Sequence, residues 1–291
     1  MNGWILLDKP YGMSSTQAGN IVRRLAKSAK AGHAGTLDPL ATGVLPIALG
    51  EATKTIPYVM EDCKQYRFQV TWGEQRNTDD AEGTVISTSL TRPGKEAIIA
   101  VLPRFIGIIQ QCPPVFSAIK IEGQRAYAMA RAGEAVTLAS RPVTIYDLIL
   151  ESIDSPDQAT FLTTCGTGTY VRSLARDMAQ ALGTVGYVSF LRRTFVGKFH
   201  EKDTISLEKL RELSHKSEID RRILPLGAVL DDIPAVPITV EEADLVRQGQ
   251  RIPVTGNLGD LSLSVLWLED QVVAIAENRN GFYCPKRVFN Y

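Results

Sequence analysis

The chain has 291 residues, 44% hydrophobic and 22% charged, and its 32 Lys and Arg balance 32 Asp and Glu to a formal net charge of zero. That composition excludes a disordered or low-complexity chain, and at about 150 residues per domain it suggests two domains that need no disulfide staples. It also excludes a uniformly basic nucleic-acid binder: any such surface must be local, and residues 1–200 (21 Lys and Arg against 17 Asp and Glu, +4) are better placed for it than residues 201–291 (11 against 15, −4). No apolar run approaches the roughly 18 residues of a membrane span, and the start, Met1 to Asp8, is too short and too soon charged for a signal peptide. The four Cys (63, 112, 165, 284) are scattered, and the three His (33, 200, 215) lack metal-ligand spacing. A reducing cytoplasm is therefore expected, without disulfide, metal or cofactor.

Trp4 to Leu7 reads as a short buried strand ending in Asp8-Lys9-Pro10. Ser14 or Ser15 can cap a helix running to about Ala29, with Ala18, Ile21, Val22, Leu25 and Ala26 at helical spacing. Arg23, Arg24, Lys27 and Lys30 crowd its end, where they suit the helix dipole and equally suit phosphates. The next run, Gly32-His33-Ala34-Gly35-Thr36-Leu37-Asp38-Pro39-Leu40-Ala41-Thr42-Gly43-Val44-Leu45-Pro46, cannot be a long helix, because Gly and Pro interrupt it. It places one carboxylate, Asp38, on a tight loop next to Pro39, where a plain Asp-Pro turn is the simplest reading.

Residues 48–59 suggest a short helical or mixed segment. Lys64 to Trp72 alternates polar and apolar, so it is a strand with Tyr66, Phe68, Val70 and Trp72 on one face. Asn77 to Gly83 reads as an acidic loop without calcium-loop spacing. Residues 95–108 suggest a helix into Gly107. The stretch from Gln111 to Gly133 mixes Pro, Lys, Arg and Tyr, which suits an RNA-facing flap as well as an exposed helix. Ala159 to Cys165 is a strand, and Val171, Leu174, Ala175, Met178 and Leu182 mark a helix stopped by Gly183. From 203 to 228 a polar helical stretch breaks near Ser214 to Ser217, followed by a Pro-marked linker. Thr239-Val240-Glu241-Glu242 is a capping box, and strands are expected at 261–268, 272–277 and 282–289.

The run from Gly32 to Pro46 closely resembles the catalytic motif of the TruB-type tRNA pseudouridine synthases. Lys9-Pro10-x-Gly12 with Ser14-Ser15, Gly168-Thr169-Tyr170-Val171-Arg172-Ser173-Leu174, and Val188 to Thr194 match further motifs of that family in the same order. The resemblance covers about residues 3–200. It implies an α+β fold: a mixed, largely antiparallel central sheet flanked by helices and loops, plus a small mostly-β PUA-like C-terminal domain. It implies a catalytic domain over 1–200 with an RNA-facing insertion at about 110–140, a helical connector and linker over 201–234, and the C-terminal domain over 235–291.

The activity it implies is isomerisation of uridine to pseudouridine at position 55 in the T-loop of tRNA, with a possible added role in tRNA folding. The implied catalytic residues are Asp38, Tyr66 and Arg172. His33, Tyr170 and Leu191 would bind the substrate, His33 as a plug in the opened base stack; Lys9, Pro10 and Arg193 would support the site, Arg193 by structure or by phosphate contact. Asp38 would act as nucleophile or base, Arg172 would pair with it, and Tyr66 would stack on the uracil or move a proton. The implied partner is the T-arm stem-loop of tRNA, with no membrane, no obligatory protein partner and a monomeric chain.

Three rival readings are weaker. An aspartyl-phosphate hydrolase wants a second acid near Asp38 and Mg²⁺, but position 40 is Leu. An RNA-binding or RNA-folding protein with a dead pocket is disfavoured by the intact Asp38, Tyr66, Tyr170 and Arg172 set. The guide-dependent branch of the family usually carries charged extensions that this sequence does not display.

Overall fold

The computed structural model describes residues 1–60, 63–117, 119–121, 123–132, 134, 136–254 and 262–291. Its organising element is a nine-stranded mixed sheet. Gly3–Lys9 pairs antiparallel with Thr42–Leu49, and Thr42–Leu49 runs parallel to Gly186–Val196. From there the sheet is antiparallel through Lys64–Trp72, Gln158–Cys165, Arg141–Ser155 and Gly107–Gln111. Two short strands, Ala31–His33 and Phe199–His200, pair with Thr42–Leu49 and Gly186–Val196. The predominance of antiparallel pairing and the flanking helices bear out the expected α+β architecture.

The alternation in Lys64–Trp72 holds: Lys64, Tyr66, Phe68, Val70 and Trp72 are buried and the residues between them are half-exposed. Phe68 stacks on Phe161 with ring centroids 5.4 Å apart, and Trp72 meets Phe161 edge-on. On that face lies helix Val171–Ala181, which contributes Leu174, Ala175 and Met178, and helix Ser15–Leu25, which contributes Ala18 and Val22. Ser14 and Gln17 cap the latter reciprocally. It ends before the expected Ala29, because Lys27 takes a left-handed φ of 46° that no α-helix accommodates.

Gly3–Lys9 is buried on both faces. Ile5 and Leu7 join the helix-covered core, while Trp4 and Leu6 join a second core with Val44, Ala48, Leu226, Leu230, Val265, Val272, Ile275 and Phe289. A doubly covered strand reads as an unbroken apolar run, as Trp4-Ile5-Leu6-Leu7 does. Residues 201–234, expected as a helical connector and linker, pack into this second core and against the first strand. Ile205 and Leu224 exchange backbone hydrogen bonds with Leu6, Asp8 and Trp4 at 2.8–2.9 Å, closing the sheet edge beside Gly3–Lys9. Helix Leu207–His215 and two 3₁₀ turns, Ile219–Arg222 and Leu226–Val229, fill the rest.

The C-terminal module is a five-stranded sheet with helix Val240–Arg247 opened by the expected Thr239 capping box. Its strands Leu263–Leu268, Gln271–Arg279 and Phe282–Val288 fall where the sequence suggests; Leu261, the start of the first expected strand, lies outside the described residues. Two further elements differ. The helix expected over 95–108 stops at Val101 and continues as a 3₁₀ turn, Leu102–Phe105, where Pro103 has no N–H to extend the α-pattern. Gly107 then starts an edge strand. In the insertion, the short pair Lys120–Ile121 and Gln124–Arg125 leads into helix Ala126–Arg131. The Lys120, Arg125 and Arg131 side chains, on which its basic character rests, lie outside the described residues, as do Ala118, Glu122, Gly133 and Ala135.

Candidate active site

Asp38 sits on the loop between Ala31–His33 and Thr42–Leu49, so both ends of the loop are pinned by one sheet. Pro39 accepts a hydrogen bond from the Gly12 N–H at 2.9 Å, and the Ser15 hydroxyl exchanges bonds with the Leu37 N–H and C=O at 2.8 and 2.9 Å. Two glycines make the approach possible. Gly35 has φ +82° and stands over Arg193; at Gly43, φ +97°, a Cβ would meet the Arg193 carbonyl oxygen at 2.2 Å. Arg193 itself is fully buried and donates from Nε to the Val44 carbonyl and from Nη2 to the Gly35 carbonyl. It braces the loop from beneath.

Lys9 is the second brace. It is fully buried, and its Nζ donates to the carbonyls of Pro10 (2.9 Å), Met13 and Pro39 (3.2 Å), the residue after Asp38. All three ammonium protons are used. Burial pushes Lys9 down to about 8, while Asp38 and Glu82 pull it up. The native state therefore sheds this proton above pH about 8 while the unfolded chain keeps it to about 10.5, so Lys9 contributes more, not less, to stability as pH rises through that window. The neutral amine keeps only two N–H donors for three carbonyls. Turnover is therefore expected to fall as pH rises through about 8 without unfolding, because a carboxylate displaced by ~1 Å loses about 10²-fold in rate. Lys9→Met should be slow at all pH values and lack that alkaline limb; a wild-type-like limb in the variant, measured as single-turnover rate against pH, would remove Lys9 as its source.

Opposite the loop, Arg172 lies in the first turn of helix Val171–Ala181, at the strand-to-helix junction the motif implies. Its Nε lies 2.9 Å from an Asp38 oxygen, an ion-pair distance without hydrogen-bond alignment. The guanidinium also donates to the Thr78 carbonyl at 2.9 Å and the Phe116 carbonyl at 3.0 Å, and it stands 3.4 Å from the Asp80 carboxylate. Arg172 is 5% exposed, Asp80 3% and Asp38 34%, so Asp38 is the member of this trio that solvent reaches. Burial pushes Asp80 up from the ordinary carboxylate range, opposed by the Thr78 hydroxyl at 2.6 Å, by Arg172 and by the Glu82 N–H at 3.0 Å.

The acidic stretch from Asn77 to Gly83 is therefore more than the plain loop the sequence suggests: it forms a wall of the site and supplies a second carboxylate to Arg172. Alternation and spacing do not disclose this, because the contact joins residues 92 apart in the chain (80 and 172). Among the described residues no group of three or more His, Cys, Asp or Glu is arranged to hold a metal.

A cleft of about 880 Å³ opens in front of Asp38. Tyr66, Tyr170, Arg172, Leu191 and Arg193 line it with Asp38, together with Lys64, Thr167 and Arg141, which the sequence did not single out. Burial pushes the Tyr66 phenol up from its ordinary value, while Arg193 next to it pulls down. The ring is thus a neutral phenol at rest with a cation beside its oxygen. Tyr170 occupies the N-cap of helix Val171–Ala181, and the Arg141 guanidinium lies 5.3 Å from its ring centroid. His33, Lys9 and Pro10 are not among the lining residues. His33 is half-buried in its short strand, its Nδ1 has no hydrogen-bond partner among the described residues, and burial first, then Arg193, pushes it below the ordinary imidazole value.

The arrangement combines the accessible Asp38 carboxylate, held by a buried arginine, with the aromatic residues Tyr66, Phe116, Tyr127 and Tyr170 and apolar Leu37, Val171 and Leu191. That set suits a flipped nucleobase and chemistry at its sugar, and it lacks a phosphate-binding glycine loop. Residues 23–171 match the family model described as TruB family pseudouridylate synthase (N terminal domain), and residues 172–231 match that of the tRNA pseudouridylate synthase B C-terminal domain. Curated proteins described as tRNA pseudouridine synthase B are similar along the whole chain. The one from Bradyrhizobium diazoefficiens is 50% identical over 297 residues, covering 100% of this chain and 86% of that protein. The one from Caulobacter vibrioides is 47% identical over 299 residues, covering 99% and 96%. Among solved structures, a chain of a Cbf5-Nop10-Gar1 complex superposes with a TM-score of 0.74 at 25% identity, covering 99% of this chain and 85% of that one.

Proposed function

The chain belongs to the TruB family of tRNA pseudouridine synthases, and from that premise we propose that it converts the uridine at position 55 in the T-loop of tRNA to pseudouridine, with Asp38 as the reacting carboxylate. The single observation that carries the chemistry is the pairing of a solvent-reachable Asp38 with the buried Arg172 at 2.9 Å, at the mouth of a cleft lined by Tyr66, Tyr170 and Leu191.

The uridine is flipped out of the loop at a cost of a few kcal/mol, and stacking on aromatic rings returns about 1–3 kcal/mol per base. The N1–C1′ bond breaks with its electron pair going to the uracil, and Asp38 meets the electron-poor C1′ by attack or by charge. The base turns, C5 bonds to C1′, the C5 proton departs and N1 gains one. Atoms and electrons balance without an oxidant or reductant, so the reaction itself calls for no cofactor. Tyr170 and Leu191 hold the base. Lys9, with Pro10, and Arg193 keep the Asp38 loop in place. His33, beside that loop, fills the gap the uridine leaves in the stack.

On this reading the partner is the T-arm stem-loop, met chiefly by residues 1–200 with the insertion over 110–140, while the PUA-like module over 235–291 adds secondary contact. The chain works as a monomer in the cytoplasm without an obligatory protein partner. No helix among the described residues is long and apolar enough to cross a membrane. Incubation with a tRNA transcript, followed by mapping of pseudouridine along it, tests the assignment. Modification confined to position 55, and reproduced on the isolated stem-loop, is expected; a different modified position, or a need for an added guide RNA, would overturn it.

A further inference from the structure

Gln111 ends the edge strand Gly107–Gln111 where the insertion begins, and its cross-strand partner, Arg141, stands where the insertion ends. Both side chains turn to the same segment. The Gln111 Oε1 accepts from the Tyr170 N–H at 2.8 Å, and its Nε2 donates to the Tyr170 carbonyl at 3.1 Å. This double contact fixes the amide's orientation, since only the oxygen can face an N–H and only the NH₂ a carbonyl. Arg141 donates to the Gly168 carbonyl at 2.6 Å and lies against the Tyr170 ring.

The adjacent residue Cys112 is held as firmly: its carbonyl accepts from the Ser173 hydroxyl and from Arg176, each at 2.8 Å. The insertion's root and the start of helix Val171–Ala181 are therefore one hydrogen-bonded unit. Gln111 is 1% exposed, so the bonds it makes are not shared with water. Tyr170 at the N-cap has no side-chain cap of its own, and its backbone placement falls to Gln111.

We propose that Gln111 is a positioning residue for Tyr170, setting where that ring stands in the cleft and tying its placement to the seating of the insertion. The proposal rests on the reading that Tyr170 holds the flipped uracil. If so, removing the amide lowers the rate after tRNA has docked and leaves docking itself little changed. Gln111→Glu is the informative variant. Its carboxylate accepts from the Tyr170 N–H but sets a second acceptor against the Tyr170 carbonyl. A carboxyl in that buried place has its pKa raised, and once protonated it donates as the amide does.

The experiment measures single-turnover rates on the T-arm stem-loop for the full-length wild type, Gln111→Glu, Gln111→Ala, Tyr170→Leu and the double variant Gln111→Ala with Tyr170→Leu, between pH 5.5 and 8. The rate of Gln111→Glu relative to wild type should climb about tenfold or more as pH falls, and Gln111→Ala should add nothing in the Tyr170→Leu background. A relative rate flat with pH, or fully additive losses in the double variant, would overturn the proposal while Tyr170→Leu alone remained impaired. Unimpaired Tyr170→Leu would instead overturn the reading of Tyr170 on which the proposal stands.

Discussion

Asp38→Asn is expected to abolish isomerisation, with single-turnover rates down by on the order of 10⁴-fold or more, while tRNA binding survives. The substitution is nearly isosteric: it removes the charge and replaces one acceptor oxygen by an NH₂ group, while the remaining oxygen can still face Arg172. Arg172 keeps Asp80, the Thr78 carbonyl and the Phe116 carbonyl, so its buried guanidinium is not stranded and the cleft keeps its shape. The loop is likewise held by Lys9, Ser15 and Arg193, none of which binds the Asp38 side chain. Loss of a negative charge from the cleft does not weaken attraction to the phosphates of a docked tRNA. Release of tritium from C5-labelled uridine measures turnover, and filter binding measures affinity. A variant within tenfold of the wild-type rate would show that another group reacts with the sugar.

The second large effect is expected at Tyr66. Tyr66→Phe keeps the aromatic face and should nonetheless lose about 10²–10⁴-fold in rate, the range for removing a positioned proton-transfer group. The ring is locked between Phe68 on its own strand and Arg193 across from it in the sheet register, so the hydroxyl has a fixed address. Because burial keeps the phenol neutral at rest, the proposed proton-transfer role is that of a relay. On the proposed mechanism the phenol would take the C5 proton as its own passes to Asp38, and Asp38 would deliver a proton to N1, so that the net movement is one proton from C5 to N1. Arg193 beside the oxygen would then stabilise the charge that builds during transfer. Tyr66→Leu should lose a further ~1–3 kcal/mol of stacking. A near-normal single-turnover rate in Tyr66→Phe would leave stacking as its whole task and Asp38 or water as the base.

The elements with strong local signals were legible from the sequence. Lys64–Trp72 alternates with a period of two, Val171–Ala181 carries a helical stripe ending before Gly183, and Ser14 and Thr239 announce their helices. The Gly- and Pro-rich run around Asp38 could only be a loop, and its match to a known motif pointed to the carboxylate. The 15-residue strand Arg141–Ser155 was not legible, because three register shifts in its pairing with Gln158–Cys165 break the alternation a sequence pattern depends on.

What only tertiary structure decided lies in contacts between distant residues. Local periodicity reports which face of an element is apolar, not what that face meets. The sequence therefore left Asp80 in an acidic loop, Gln111 at the start of an exposed flap, and residues 201–234 as a helical connector and linker. Folding brings Asp80 to Arg172, Gln111 to the backbone of Tyr170, and Ile205 and Leu224 to the edge of the first strand. Each is a buried polar group that desolvation forces to find a partner, and the sheet's order determines which partner is within reach.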